Sequence, residues 1–153
     1  MFKTNKCAVP SIIFATIVTA NVYAFPCFLT VVKDSCWTKY DVTVSGINVM
    51  TNKTEISVLI PRGKSWARGS FSCEPSETLS FNASFKPAFW KGDADKQYPS
   101  TSKKSLPTVI TKDETAWNIT LAYPGDFSSI TLPPDASGNC KYDLKAVLPV
   151  EPQ

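Results

Sequence analysis

The stretch YDVTVSGINVMTNKTEISVLI, residues 40–60, decides the fold. Apolar and polar residues alternate on both sides of a polar turn at Asn52-Lys53. Val42 and Val44 share one face of the first run, and Ile56 and Val58 share one face of the second. Because successive side chains of a strand point to opposite faces, this pattern predicts two half-buried strands. Joined by the polar turn, they form a predicted β-hairpin.

Similar short apolar patterns recur along the chain between Pro- and Gly-containing turns. Further strands are predicted around residues 66–73, 79–85 and 115–123, with shorter ones at 28–33, 109–110, 129–132 and 141–147. No window shows a sustained apolar stripe at helical spacing. We therefore expect an all-β domain over residues 25–147, an antiparallel β-sandwich. It is immunoglobulin-like only in the broad architectural sense, since Trp37 directly follows Cys36 and the motif spacing does not match closely.

The two ends of the chain differ from this pattern. Residues 1–24 combine a short basic region, an apolar core centred on residues 12–20 and the small-residue ending Val22-Tyr23-Ala24. This is the composition of a secretory signal peptide, with cleavage expected after Ala24. The apolar core is shorter than the roughly 20 residues of a membrane span, so we expect no span in the mature chain. Residues 148–153 contain two prolines and are predicted to form a flexible tail.

The expected cleavage after Ala24 changes the number of cysteines in the chain. Removing 24 of the 153 residues leaves 129 and removes Cys7, so four of the five cysteines remain: Cys27, Cys36, Cys73 and Cys140. An even number in an exported chain predicts two disulfides, and the three possible pairings stay open. A zinc site is disfavoured because no Cys-x-x-Cys pair and no histidine is present.

Composition also narrows the chemistry. With no histidine, the chain has no Ser-His-Asp triad and no Cys-His dyad. The formal charge of +3 is too small and too scattered to indicate nucleic-acid binding. A Ser-x-x-Lys match at Ser100–Lys103 lacks its companion motifs. The acidic residues lie mostly in predicted turns, and nothing in the sequence pairs two of them across a groove as glycoside hydrolysis requires. We expect a non-enzymatic protein without a cofactor or a metal.

Two long loops are the first candidates for function. Residues 86–104 carry Phe89, Trp90 and Tyr98 among charged residues, and residues 125–139 contain Pro133-Pro134. Connections near 20 residues are unusually long and often functional. Exposed aromatics on such a loop could stack on sugar rings. The alternative is that the loop covers an open sheet edge and buries its aromatics.

A basic turn is the second candidate. Arg62, Lys64 and Arg68 surround Trp66 within seven residues of chain. Such a group could bind an anionic glycan or a phosphate, or anchor a protein partner. The alternative is a solvated turn whose Trp66 enters the core.

The sequence thus favours an exported β-sandwich that binds another macromolecule, a protein or a glycan, in the periplasm or the extracellular space. The second hypothesis is a carbohydrate-binding module that uses the loop aromatics.

Overall fold

The computed structural model describes residues 24–151, so the predicted signal peptide lies outside them except for Ala24. This part of the chain is all-β, with strands β1 (Phe25–Lys33), β2 (Asp41–Asn48), β3 (Thr54–Ile60), β4 (Trp66–Cys73), β5 (Thr78–Lys86), β6 (Tyr98–Pro99), β7 (Lys104–Ser105) and β8 (Trp117–Tyr123). Two 3₁₀ turns span Ser35–Trp37 and Leu144–Ala146. Over residues 24–151, no helix is long and apolar enough to cross a membrane.

The strands form two sheets. In the three-stranded sheet, β1 lies between β4 and β8, antiparallel to β4 and parallel to β8. The five-stranded sheet has the order β3-β2-β5-β6, and β7 also pairs with β5. All of its pairs are antiparallel, and the hairpin predicted at residues 40–60 is confirmed as β2–β3. A Cβ on Gly46 would lie 2.9 Å from Ile56 Cγ2, so glycine permits the close packing at this point of the hairpin.

The inner faces of the two sheets share one apolar core. Leu29 of β1, Val44 of β2 and Phe81 of β5 are almost completely buried in the same cluster. Burying such a side chain contributes roughly 1.5–3 kcal/mol. Two sheets packed through their apolar faces are consistent with the predicted β-sandwich.

Trp37 connects the two sheets through its indole ring. It ends the first 3₁₀ turn, which Asp34 caps by accepting a hydrogen bond from the Cys36 N–H. The Trp37 ring centroid lies 4.9 Å from that of Tyr123 in β8 and 4.8 Å from that of Phe85 in β5. Edge-to-face contacts of this kind add stability beyond the area they bury.

Three of the shorter predicted strands are wrong. Residues 109–110 and 129–132 are irregular, and residues 141–147 contain a 3₁₀ turn. Ser129 has a positive φ of 62°, which interrupts an extended run. Asp143 caps the 3₁₀ turn by accepting a hydrogen bond from the Ala146 N–H, and this local bond competes with a strand.

The long loop of residues 86–104 covers the outer edge of β5. Its short strands β6 and β7 both pair with β5, and the Tyr98 ring is only 5% exposed. Covering an edge prevents unwanted pairing with another chain. Part of the loop therefore has a structural role, while residues 87–97 stay outside the sheet.

Both predicted disulfides are present. Cys27–Cys73 joins the neighbouring strands β1 and β4 and is buried, whereas Cys36–Cys140 joins the first 3₁₀ turn to the C-terminal segment and is half-buried. Backbone hydrogen bonding from the Ser35 N–H to the Lys141 carbonyl continues this second connection. Two bridges are compatible with an exported protein.

Candidate functional site

A depression lies where the β3–β4 turn meets the long loop. Its volume is about 340 Å³. The floor is largely apolar and the rim is charged, with the lining formed by Arg62, Phe85, Lys86, Pro87, Ala88, Ala94 and Asp95. We call this surface the loop depression. An apolar floor with a few charged groups at its rim is the usual anatomy of a binding surface.

Arg62 is held at the rim of the loop depression by Asp41. Its backbone N–H donates to Asp41 Oδ1 at 2.8 Å, and its guanidinium lies 3.6 Å from Asp41 Oδ2. Lys86 stands opposite Asp41 in the β2–β5 register. Lys64, on the same turn as Arg62, is exposed and forms no ion pair with any described residue. The turn therefore presents cations to solvent beside the loop.

The three predicted loop aromatics do not lie on one exposed surface. Trp90 is 54% exposed, and its Nε1 donates to Thr131 Oγ1 at 3.3 Å. Phe89 is half-buried and stacks on Phe85 at 5.0 Å, while Tyr98 stacks on Phe85 from the core at 5.8 Å. Trp90 is thus the aromatic of this group whose ring is open to a ligand.

Arg68 lies on a different face from Arg62. It projects from the outer face of the three-stranded sheet, where its Nε donates to Thr30 Oγ1 at 2.7 Å. Its two terminal nitrogens donate to the carbonyls of Leu148 and Pro149 at 2.7 and 3.2 Å. The guanidinium also lies 5.3 Å from the Trp66 ring centroid, so Trp66 packs on this outer face and does not enter the core.

The contacts of Arg68 extend across the sheet through polar side chains. Thr30, which is buried, donates to Asn118 Oδ1 at 2.9 Å, and Asn118 Nδ2 donates to Thr120 Oγ1 at 3.3 Å. This chain of hydrogen bonds joins β4, β1 and β8. Because each of the three side-chain nitrogens of Arg68 donates a hydrogen bond within the protein, the structure separates the basic turn into an open part at Arg62 and Lys64 and a structural part at Arg68.

One buried cation, Lys33, was not predicted from the sequence. Lys33 is 1% exposed, and its Nζ donates to the carbonyls of Tyr40 at 2.7 Å and Pro61 at 3.2 Å. Burial lowers the pKa of Lys33 to about 8, although the Asp41 carboxylate acts in the opposite direction. Leu29 and Val31 of β1 point inward, and alternation places Lys33 on the same inner face. This alternation is the sequence pattern from which the burial of Lys33 could have been predicted. An enclosed ammonium bound to two carbonyls is a structural group.

The neighbouring carboxylate of Asp34 is also largely buried. Its pKa is raised by burial, and hydrogen bonds from the Cys36 and Trp37 backbone act against that rise. One carboxylate oxygen lies within 4.8 Å of the Cys36 and Cys140 sulfurs. Those sulfurs are joined to each other, so they offer no thiolate for a metal.

A second depression, of about 320 Å³, lies beside this disulfide. At its edge, Lys39 Nζ lies 2.8 Å from Asp135 Oδ2.

The fold and these surfaces define a class of protein. It is an all-β protein of two packed sheets that is cross-linked by two disulfides and has charged and aromatic loop surfaces. Comparison with protein-family models, with curated proteins and with solved structures finds no match for this chain.

Proposed function

We propose that this chain is an exported, non-enzymatic β-sandwich that binds another macromolecule in the periplasm or the extracellular space through the loop depression. The observation that carries the proposal is the depression itself, in which the long loop and the Arg62 turn meet over an apolar floor. Arginine and aromatic groups around an apolar centre are enriched where proteins bind partners.

The export part of the proposal rests on the signal-peptide pattern of residues 1–24 and on the two disulfides. The immunoglobulin-like part, in the broad architectural sense, rests on the packed sheets and on Trp37 in their core. The non-enzymatic part rests on the chemistry of the lining. Phe85, Pro87 and the two alanines offer no nucleophile or general base, and Asp95 is a lone carboxylate with no second carboxylate, serine or cysteine beside it in the lining.

Photo-crosslinking in the native compartment tests this proposal. A photoreactive amino acid at Ala88, in the lining of the loop depression, should give a stoichiometric covalent complex with one macromolecule. The matched control carries the same group at Thr51, an exposed position in the β2–β3 turn at the other end of the hairpin. No adduct from position 88, or equal adducts from both positions, would rule out binding at the depression.

Charge reversal gives a second, independent measurement. Arg62→Glu should weaken the complex about tenfold, because it removes a rim cation and places a carboxylate beside Asp41. Lys53→Glu reverses a charge at the exposed β2–β3 turn and should leave the complex unchanged. Equal effects of the two substitutions would indicate a general charge effect without a site.

The exposed ring of Trp90 favours a second candidate function, a carbohydrate-binding module. The hydrogen bond to Thr131 holds the indole while leaving more than half of the residue's surface exposed. Titration with a glycan panel should then change the tryptophan fluorescence of the native protein, and Trp90→Ala should abolish that change. No response to any glycan in the panel would reject this function and leave the proposed binding at the loop depression untouched.

A further inference from the structure

The strand β8 has an edge with open backbone groups. Backbone groups of alternate residues in a strand point to opposite edges, and the Tyr123 carbonyl points towards β1, where it accepts from the Asp34 N–H. Asn118 and Thr120 therefore direct their N–H and C=O groups away from β1. Among the described residues, none of these four groups has a hydrogen-bond partner, since β8 pairs with β1 alone.

The far end of this edge is already closed. Ala122 donates its N–H to Asp126 Oδ2 at 2.7 Å, and its carbonyl accepts from the Asp126 N–H at 2.8 Å. Ser128 then donates its N–H to the Pro99 carbonyl in β6, which connects this corner to the other sheet. The open edge is thereby limited to residues 116–120.

A groove runs beside these open groups, between β8 and β7 of the other sheet. Its volume is about 370 Å³, and it is lined by Lys104, Ser105, Leu106, Pro107, Ala116, Trp117, Asn118, Ile119 and Thr120. Lys104 is the one charged residue in this lining and forms no ion pair with any described residue. Within residues 24–151, the groove thus combines backbone groups that have no hydrogen-bond partner with one cation that has no ion pair.

Edge strands normally carry features that prevent pairing with another chain, such as charged side chains, proline or a bulge. Of the other edge strands, β3 contains Glu55, β4 contains Arg68 and β6 contains Pro99, whereas β8 has the uncharged sequence WNITLAY. An uncharged edge rich in β-branched and aromatic residues favours the addition of a strand.

We propose that the β8 edge binds an extended segment of a partner protein, which adds as a strand beside Asn118 and Thr120 and places a carboxylate next to Lys104. Charge complementarity selects this occupant. In a symmetric dimer, a second copy of the chain would offer its own β8, which contains no carboxylate to pair with Lys104. This surface is separate from the loop depression, so the proposal does not depend on binding there.

The first test uses acetylated hexapeptides in which Val and Thr alternate and one central position is Asp, Ala or Lys. The Asp peptide should bind the purified oxidised protein, with the Lys peptide at least tenfold weaker. A series of Asp peptides, each N-methylated at one backbone position, should lose binding at every second position only. The reason is that alternate N–H groups of an added strand face β8, and the others face solvent. No binding at about 1 mM peptide, or N-methyl effects without this period, would overturn the proposal.

Protein variants test the same contacts from the other side. Thr120→Pro removes an outward N–H that β1 does not use and should weaken the Asp peptide about tenfold, as expected for a lost hydrogen bond. Its control, Thr120→Val, keeps the N–H and should bind normally. Lys104→Glu should exchange the preference from the Asp peptide to the Lys peptide. Equal binding by the Thr120 variants, an unchanged preference, or a β8-mediated dimer of the native protein in place of peptide binding would each contradict the proposal.

Discussion

Lys33 makes stability depend on pH at the scale of a single residue. Its pKa of about 8 in the folded protein lies below the ordinary value of 10.5 because the ammonium is enclosed. The unfolded chain therefore binds more protons between pH 8 and 10.5, and stability rises with pH in that window. Below pH 8 both states are protonated, so the destabilisation is constant. We expect the free energy of unfolding to increase by about 2 kcal/mol from pH 7 to 9.5.

Urea titrations across this pH range measure the effect. Buried tyrosines set the upper limit of the useful pH range. Burial raises the pKa of Tyr40, Tyr98, Tyr123 and Tyr142 in the folded protein. These groups therefore reduce stability only when the pH passes 10, the ordinary tyrosine pKa. The control Lys33→Met removes the titrating group and should flatten the curve. An equally steep curve in Lys33→Met would assign the pH dependence to other groups.

Arg68 and Arg62 form a matched pair for a second prediction. Arg68 makes three hydrogen bonds that connect β4, β1 and the C-terminal segment, whereas Arg62 holds an exposed ion pair at 3.6 Å. A lysine ammonium cannot reproduce the planar donor geometry of the guanidinium. Arg68→Lys should therefore lower the free energy of unfolding by about 1–2 kcal/mol, and Arg62→Lys by less than about 0.5 kcal/mol.

The measurement for this pair is chemical denaturation under identical conditions. Equal losses in the two variants would show that the hydrogen bonds of Arg68 to Thr30, Leu148 and Pro149 contribute nothing beyond a surface charge. Hydrogen exchange can also follow residues 148–151, whose predicted flexibility should increase in Arg68→Lys.

At the scale of elements, alternation predicted the strands that are half-buried. It located β2, β3, β5 and β8 to within two residues, because each has one face on the core and one on solvent. The strand β4 was located by the turn that precedes it. It found only the second part of β1. It could not find β6 and β7, since two-residue strands have no period and exist through pairing with β5.

The candidate site was less predictable for a related reason. Spacing placed Arg62, Lys64 and Arg68 together, but a turn followed by a strand sends Arg62 to the loop depression and Arg68 to the outer sheet face. Likewise, Tyr98 was predicted to be a ligand-binding aromatic, and its burial comes from pairing with β5 across a distance that sequence patterns do not encode.

The two disulfides should respond differently to reduction, because one joins buried strands and the other fastens a partly exposed segment. Attack on a disulfide requires access to a sulfur. A mild reductant with alkylation should therefore label Cys36 and Cys140 first, while Cys27 and Cys73 react only when the sheets open. Mass spectrometry of the alkylated peptides gives the order. Labelling of all four cysteines at one rate would show that both bridges open in a single global unfolding event.

At the scale of the whole molecule, the two sheets depend on one core. Leu29 in β1 and Leu79 in β5 are both 0% exposed and belong to the same cluster, although they come from different sheets. Trp37 contacts both sheets through Tyr123 and Phe85. Neither sheet can keep its inner face from water without the other, so we expect a single cooperative unfolding transition.

Leu29→Ala and Leu79→Ala test this dependence with the same substitution on opposite sides of the core. Each should lower the free energy of unfolding by about 2–5 kcal/mol, because each removes buried methyl groups and leaves a cavity. Tryptophan fluorescence and far-UV circular dichroism should give coincident transitions in both variants, with the disulfides intact. If Leu29→Ala instead caused only part of the dichroism signal to melt early, the three-stranded sheet would unfold separately. The five-stranded sheet would then stay folded without the three-stranded sheet, and the loop depression on β5 would persist without β1 and β8.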